Sequence, residues 1–406
     1  SHAKMLAATI ITAASIAFAG PSAVAPRRGA ASNAAMRITP VASNGAHLSS
    51  QQKAELAEIA ALVARPGKGI TACDEGPATI GGRFEAVGVE NSEETRRAYR
   101  QMLFETPGCE QFLSAAILDP ETLYQKSSTD GRLFPEVLSD RGIVPGVKPH
   151  LKVYALPGCG GETVMQGLDS LAARCKEYRA AGARFAKWRS PLEIRDGEIS
   201  SLAVEANMKD LARYALICQA EGLMPIVEPD ISLVGDYDLE TAVRVNVEVQ
   251  SMLYKAMIDH GVYMEGSTLK PNMINPGKDC PTHYTAAEIG QANIDVLSRV
   301  FPCAMKGANF LSGGQSLENA AARLSAINKA KGSCPWNLSF SWSQALQLPL
   351  LETCRETGEL DLEAMGKLYV EELAIASKAA LGEYDPPVEG AGDHVPPQGA
   401  KAAAAA

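Results

Sequence analysis

The chain has 406 residues, 46% of them hydrophobic and 21% charged, enough to bury a large core in one barrel or in two smaller domains. A formal net charge of −9, with no basic block, argues against nucleic acid as a partner. The 9 cysteines form no C-x-x-C pair and the 6 histidines form no H-x-x-x-H or H-E-x-x-H. These patterns argue against a disulfide framework, a zinc site and a histidine-built metal centre.

Residues 1–49 read as a targeting leader. Lys4 precedes the apolar run Met5–Gly20, which has the length of a signal-peptide core and is too short to span a membrane confidently. The following PSAVAPRRGAASNAAMRITPVAS is rich in Ala, Ser and Arg, and no acid precedes Glu55. That is transit-peptide composition. Together the two parts resemble a bipartite plastid leader, with a simple transit peptide or a disordered tail as the alternatives, so the expected location of the mature protein is the plastid stroma, with no membrane attachment. At the other end, residues 385–406 are rich in Pro, Gly and Ala and read as a flexible tail.

Between them, residues 50–384 alternate regularly. Short apolar runs stand at 69–74 (GITACD), 112–119, 143–148, 183–188 (ARFAKW), 223–229 (LMPIVEP), 267–271 (STLKP), 304–311 and 337–342 (NLSFSW). Segments of helical period separate most of them, and those at 167–182, 204–222 and 239–261 each stop on glycine. Eight strands alternating with helices predict parallel β/α units, and eight units can close into a (β/α)8 TIM barrel of this size. A doubly wound open sheet is the competitor. It would usually carry a glycine-rich dinucleotide turn after its first strand, and ITACDEGPATIGG contains no G-x-G-x-x-G.

In a barrel, the C-terminal strand ends converge on one mouth. Here they carry Asp74, Lys148, Lys187, Glu228 and Lys270, with Ser312 just after the seventh run. Any one of these reads as a structural ion pair. As a set they point to a site, since random surface charge would not favour the same end of successive strands. A partly desolvated lysine beside a second cation has a lowered pKa and can attack a carbonyl to form a Schiff base, which marks Lys270 and Lys187. The glycines of FLSGGQS (310–316) let backbone N–H groups approach an anion where barrels often bind phosphate.

GKGITACDEG, NSEETRRAYRQMLFETPG, ETLYQK, FAKWRSPLEI, LARYALICQAEGLMPIVEPD, LKPNMINPG and FLSGGQS occur in order. Together they resemble the class I fructose-bisphosphate aldolases over about residues 50–384. The resemblance implies a metal-independent lyase. It would cleave fructose 1,6-bisphosphate reversibly to dihydroxyacetone phosphate and glyceraldehyde 3-phosphate, without a cofactor, in glycolysis, gluconeogenesis or the Calvin cycle. It further implies sedoheptulose 1,7-bisphosphate as a second substrate and a homotetramer. By position, Lys270 matches the Schiff-base lysine and Glu228 the proton-transfer glutamate. Lys187 matches the lysine that assists carbinolamine formation, and Asp74 the aspartate near the C4 hydroxyl. Lys148 and Arg189, and more weakly Lys126, match cations of the substrate pocket. Arg83 matches a mobile-loop arginine, and Ser312, Gly313 and Gly314 match the C1-phosphate loop.

The departures lie opposite the nucleophile. FSWSQALQ (340–347) stands where the family resembles F-S-Y-G-R-A-L-Q, so Ser343 replaces a glycine and Gln344 the phosphate-binding arginine. Gly76 replaces a serine, with Thr79 as a substitute hydroxyl. Gly82 replaces a lysine and Asp230 a glutamate. The family's C-terminal tyrosine has no match, the last tyrosine being Tyr384. These departures leave a second expectation beside the enzyme: an aldolase-like barrel of reduced activity, serving as a plastid scaffold or assembly component.

Overall fold

A computed structural model describes residues 44–397. Most of the predicted leader, residues 1–43, and residues 398–406 lie outside the described residues.

All eight predicted runs are strands. They are β1 (Gly69–Cys73), β2 (Leu113–Leu118), β3 (Val144–Val147), β6 (Phe185–Leu192), β7 (Met224–Ile231), β8 (Thr268–Leu269), β9 (Gly307–Phe310) and β10 (Asn337–Trp342). They close in the order β1-β10-β9-β8-β7-β6-β3-β2, every pairing parallel. The chain is therefore a closed (β/α)8 barrel and not an open doubly wound sheet. Strands buried on both faces need apolar residues at successive positions, which is why β1 and β2 appear as unbroken apolar runs. The helices Leu171–Ala180, Ser201–Ala220 and Leu239–Asp259 are followed by Gly182, Gly222 and Gly261, each at positive φ. The left-handed conformation there favours glycine and ends the helices where the sequence reading placed their stops.

Side chains fill the lower barrel. Ile70, Ala72, Ala115, Ile117, Val144, Phe185, Met224 and Ile226 pack against Leu56, Ala60 and Val63 of the helix Ser50–Val63. A Cβ at Gly146 would lie 2.2 Å from the Phe185 ring, so the missing side chain on β3 is what admits this ring. With the N-terminal end plugged by a helix, the opposite mouth is left for chemistry.

Three features differ from the sequence reading. An antiparallel hairpin, β4 (Val153–Ala155) with β5 (Thr163–Met165), stands outside the barrel. Residues 44–49, the last six of the predicted leader, are folded onto the barrel. The Asn44 amide donates to Glu265 Oε2 at 2.8 Å, Leu48 is buried, and Ser49 caps the first helix with a reciprocal bond from Gln52. The predicted flexible tail is held at its start: Tyr284 and His394 exchange backbone hydrogen bonds of 3.2 and 2.7 Å, and Arg323 binds the carbonyls of Gly392 and Asp393.

Candidate active site

Inward alternation on two adjacent strands builds the centre of the mouth. On β6, Lys187 and Arg189 share the inner face. On β7, Glu228 and Asp230 do, with Arg189 and Glu228 in register. Asp74 follows β1 and Lys270 follows β8. All six line one cavity of about 460 Å³, together with Thr79, Arg83, Ser312, Gly313, Gly314, Ser343 and Gln344.

The innermost four groups form a chain of alternating charge. The Lys187 ammonium lies 2.7 Å from Asp74 Oδ2 and 2.9 Å from Glu228 Oε2, and Lys270 Nζ lies 3.3 Å from Glu228 Oε1. Lys187, Glu228 and Lys270 are 3%, 3% and 4% exposed, so the interactions are little screened. This environment separates the two amines. Burial works against the charge on Lys187, but Asp74 and Glu228 on either side outweigh it and hold its pKa above the usual lysine value. Burial also disfavours the charge on Lys270. Glu228 and, from farther off, Asp74 do not offset this, and Lys187 repels it further, so its pKa falls below the ordinary value. Burial would raise both carboxyls. Lys187, with Lys270 and further cations, instead holds Asp74 and Glu228 below their usual range. One amine stays protonated and the other is primed to lose its proton, a division suited to one acid and one nucleophile.

Around this chain the predicted binding residues divide. Arg189 extends beside it, its Nε donating to Asp230 Oδ2 at 2.6 Å. Lys148 lies behind the cavity wall, its amine 2.8 Å from both the Asp74 carbonyl and Asp119 Oδ2. Lys126 is exposed on the segment after β2 and does not reach the mouth, so it drops out as a pocket cation. Arg83 is placed in the helix Pro77–Glu85 and not on a loop. Its Nη1 pairs with Glu75 Oε1 at 3.0 Å and donates to Ser343 Oγ at 2.9 Å. Ser343 in turn donates to Glu75, whose second oxygen pairs with the buried Arg100 at 3.1 Å. Two guanidiniums thus share one carboxylate, and Ser343 is engaged with them.

Across the mouth, Gly313 and Gly314 have φ of +60° and +80°. Successive left-handed residues just before the helix Leu317–Ala330 give the N–H groups of a turn a common concave side, suited to an anion. Gln344 lies against this loop, since a Cβ on Gly314 would be 3.4 Å from its Oε1. The site also contains residues that the sequence reading did not select. Ser341 Oγ and both amide atoms of Asn275 are buried in the cavity wall with no hydrogen-bond partner among the described residues, so they are available to a polar ligand. Counting back two from Ser343 along β10 gives Ser341, a signal present in the sequence. Asn275 lies in the irregular LKPNMIN segment, where no strand period applies.

The family profile described as fructose-bisphosphate aldolase class-I matches residues 55–395. The chain belongs to the class I fructose-bisphosphate aldolases. It is 46% identical over 341 residues to a fructose-bisphosphate aldolase of Echinococcus multilocularis, covering 84% of this chain and 93% of that protein. It is also 46% identical over 330 residues to the cytosolic fructose-bisphosphate aldolase 4 of Arabidopsis thaliana, covering 81% and 84%. A solved Plasmodium falciparum fructose-bisphosphate aldolase, in complex with TRAP and a small-molecule inhibitor, superposes with a TM-score of 0.80 at 40% identity, covering 83% of this chain and 97% of that one. The activity of this aldolase is the reversible cleavage of fructose 1,6-bisphosphate, carried by a lysine Schiff base without a metal.

At the phosphate loop, Gln344 presents a neutral amide where the resemblance implies an arginine. A charge-assisted hydrogen bond is worth about 1.5–3 kcal/mol, so Gln344→Arg should lower KM for fructose 1,6-bisphosphate about tenfold with kcat little changed. Steady-state kinetics of the two proteins checks this, and an unchanged KM would mean that other groups already supply the lost charge.

Proposed function

We propose that Lys270 is the amine that attacks C2 of the ketose bisphosphate, with Glu228, Lys187 and Asp74 moving its protons. The carrying observation is the split between the two lysines: one buried amine clamped as an ammonium by two carboxylates, the other depressed beside it. Lys270 adds to C2 as its free amine. The Glu228 carboxylate, 3.3 Å from that amine, takes up the proton that the Lys270 ammonium gives up and returns it to the C2 hydroxyl, which leaves as water as the iminium forms. The C3–C4 bond then breaks. Its electron pair moves into the iminium to give an enamine, while Asp74 takes the C4 hydroxyl proton and the aldehyde departs. Protonation at C3 and hydrolysis of the imine release dihydroxyacetone phosphate. Lys187, held in place by both carboxylates, supports the charge changes during addition and dehydration.

The reading is tested by a coupled cleavage assay on the purified protein. Turnover of fructose 1,6-bisphosphate supports it, and a folded barrel without turnover would favour the scaffold. We extend the proposal to sedoheptulose 1,7-bisphosphate, because C2, C3 and C4 react in the same way and the extra carbon lies beyond the broken bond. A rate below about a thousandth of that with fructose 1,6-bisphosphate would remove it.

A plastid location, and with it service in the Calvin cycle, rests on the two-part composition of residues 1–49. A fluorescent fusion of that segment tests it, and a diffuse cytosolic signal would end it. A homotetramer is supported by family membership and by the hairpin β4–β5. There Val153 and Tyr154, with the neighbouring Leu151, are 47%, 50% and 61% exposed, an apolar cluster that a second copy would cover. Sedimentation should give an oligomer that Tyr154→Glu shifts to smaller species. A monomeric parent protein would contradict the proposal.

A further inference from the structure

The phosphate loop has a buried cation behind it. Arg323, on the helix Leu317–Ala330, is 7% exposed and forms no ion pair among the described residues. Its guanidinium donates to three neutral acceptors: Gly392 O at 2.6 Å, Asp393 O at 3.1 Å and Gln315 Oε1 at 2.7 Å. Gln315 lines the catalytic cavity, and its Nε2 donates to Ser312 O at 2.7 Å. A continuous chain therefore runs from the strap at residues 390–394, through Arg323 and Gln315, to the loop that presents Ser312, Gly313 and Gly314.

The strap is seated by contacts of its own. Gly392 N donates to Asn319 Oδ1 at 3.2 Å, and Asp393 Oδ1 accepts from Ala286 N at 2.7 Å. His394 Nε2 lies 3.0 Å from Cys280 O. Gly392 has φ +87°, and a Cβ there would stand 2.7 Å from Ala322 Cβ, so only glycine lets the strap lie this close to the helix. Burial costs the guanidinium stability and pulls its pKa down to about 10, the nearby Asp393 carboxylate offsetting this only in part, and it stays charged at neutral pH. Its field, reduced by the Asp393 carboxylate, reaches the loop one residue away through Gln315.

We propose that Arg323 is a positioning residue for the substrate phosphate: it fixes Gln315, and through it the Ser312–Gly314 turn, and adds positive potential behind a loop whose facing side chain, Gln344, is neutral. The inference rests on the aldolase reading of the mouth. It makes anion affinity depend on a group that never touches the anion.

The test measures binding of inorganic phosphate by calorimetry and cleavage of fructose 1,6-bisphosphate by kinetics, in the full-length protein. Arg323→Met should raise the phosphate Kd and the bisphosphate KM about tenfold, with kcat within about threefold, whereas Arg323→Lys should keep both constants within about threefold. Gln315→Met, which breaks the relay but leaves the cation and the strap, should raise both about threefold to fivefold, and it decides the matter if Arg323→Met does not fold. Unchanged constants in the methionine variants overturn the proposal. So does a lysine variant as weak as Arg323→Met, because the role would then be packing and not charge. Loss of cleavage in the parent protein would instead count against the aldolase reading, and the phosphate titration would still decide the role of Arg323.

Discussion

Replacing Lys270 with methionine should give a folded barrel that traps no dihydroxyacetone phosphate under borohydride and cleaves fructose 1,6-bisphosphate at least about 10⁴-fold more slowly. The size follows from what is lost. Without the imine, breaking C3–C4 must leave charge on a carbonyl carbanion, and nothing else in the mouth offers an electron sink. Lys187 cannot take over, because its amine is clamped between Asp74 and Glu228 and remains an ammonium. Folding should survive, since methionine nearly matches the lysine in volume and Glu228 keeps the Lys187 ammonium at 2.9 Å. Mass spectrometry after reduction reads the adduct directly, and an adduct on Lys187 or near-normal turnover would refute the assignment.

That assignment shows how far the sequence could be read. The barrel strands were visible because strands covered on both faces must be apolar at consecutive positions, and the catalytic groups because charged residues repeatedly closed those runs. Which lysine acts was not visible from the runs themselves. Lys187 and Lys270 both end apolar segments, and only the number of carboxylates against each amine separates them. Arg100 was hidden for a related reason. In EETRRAYR it looks like Arg96 and Arg97, which pair with Glu121 and Glu94 near the surface, while Arg100 turns inward to Glu75. The hairpin β4–β5 buries little and so leaves no strong hydrophobic period. The strap at 390–394 was read as flexible from its Pro and Gly content, but backbone bonds to Tyr284 and Arg323 hold it, and composition does not report such bonds.

Replacing Lys187 with methionine should separate the electrostatic frame of the site from its nucleophile. The substitution removes the one ammonium shared by Asp74 and Glu228. Glu228 keeps Lys270 at 3.3 Å, but the Asp74 carboxylate loses its one ion-pair partner among the described residues, because Lys148 binds its carbonyl and not its carboxylate. Breaking a buried ion pair on one side costs about 3–5 kcal/mol, so the variant should be destabilised by about 3 kcal/mol near neutral pH. The sign of its pH dependence follows from the shifts. In the parent, both carboxyls have folded pKa values below their unfolded ones. Their contribution is therefore present above about pH 4 and is lost as pH falls through the folded values. Lys187 has a raised folded pKa, so its contribution is present below its unfolded value of about 10.4 and is lost as pH rises further. The stability gap between parent and variant should be widest between about pH 5 and about pH 10 and should shrink in acid, where the uncovered carboxyls take up protons. Activity should fall about 10³-fold, both because a proton-transfer group is gone and because Lys270 loses the cation that helped to depress its pKa. Trapping at Lys270 should nevertheless persist on long incubation with dihydroxyacetone phosphate and borohydride, since the nucleophile is still there. Urea unfolding near pH 7 and near pH 3, with trapping measured near pH 7, makes the comparison. A gap of equal size at both pH values, or no trapping at all, would show that Lys187 does something other than hold the two carboxylates.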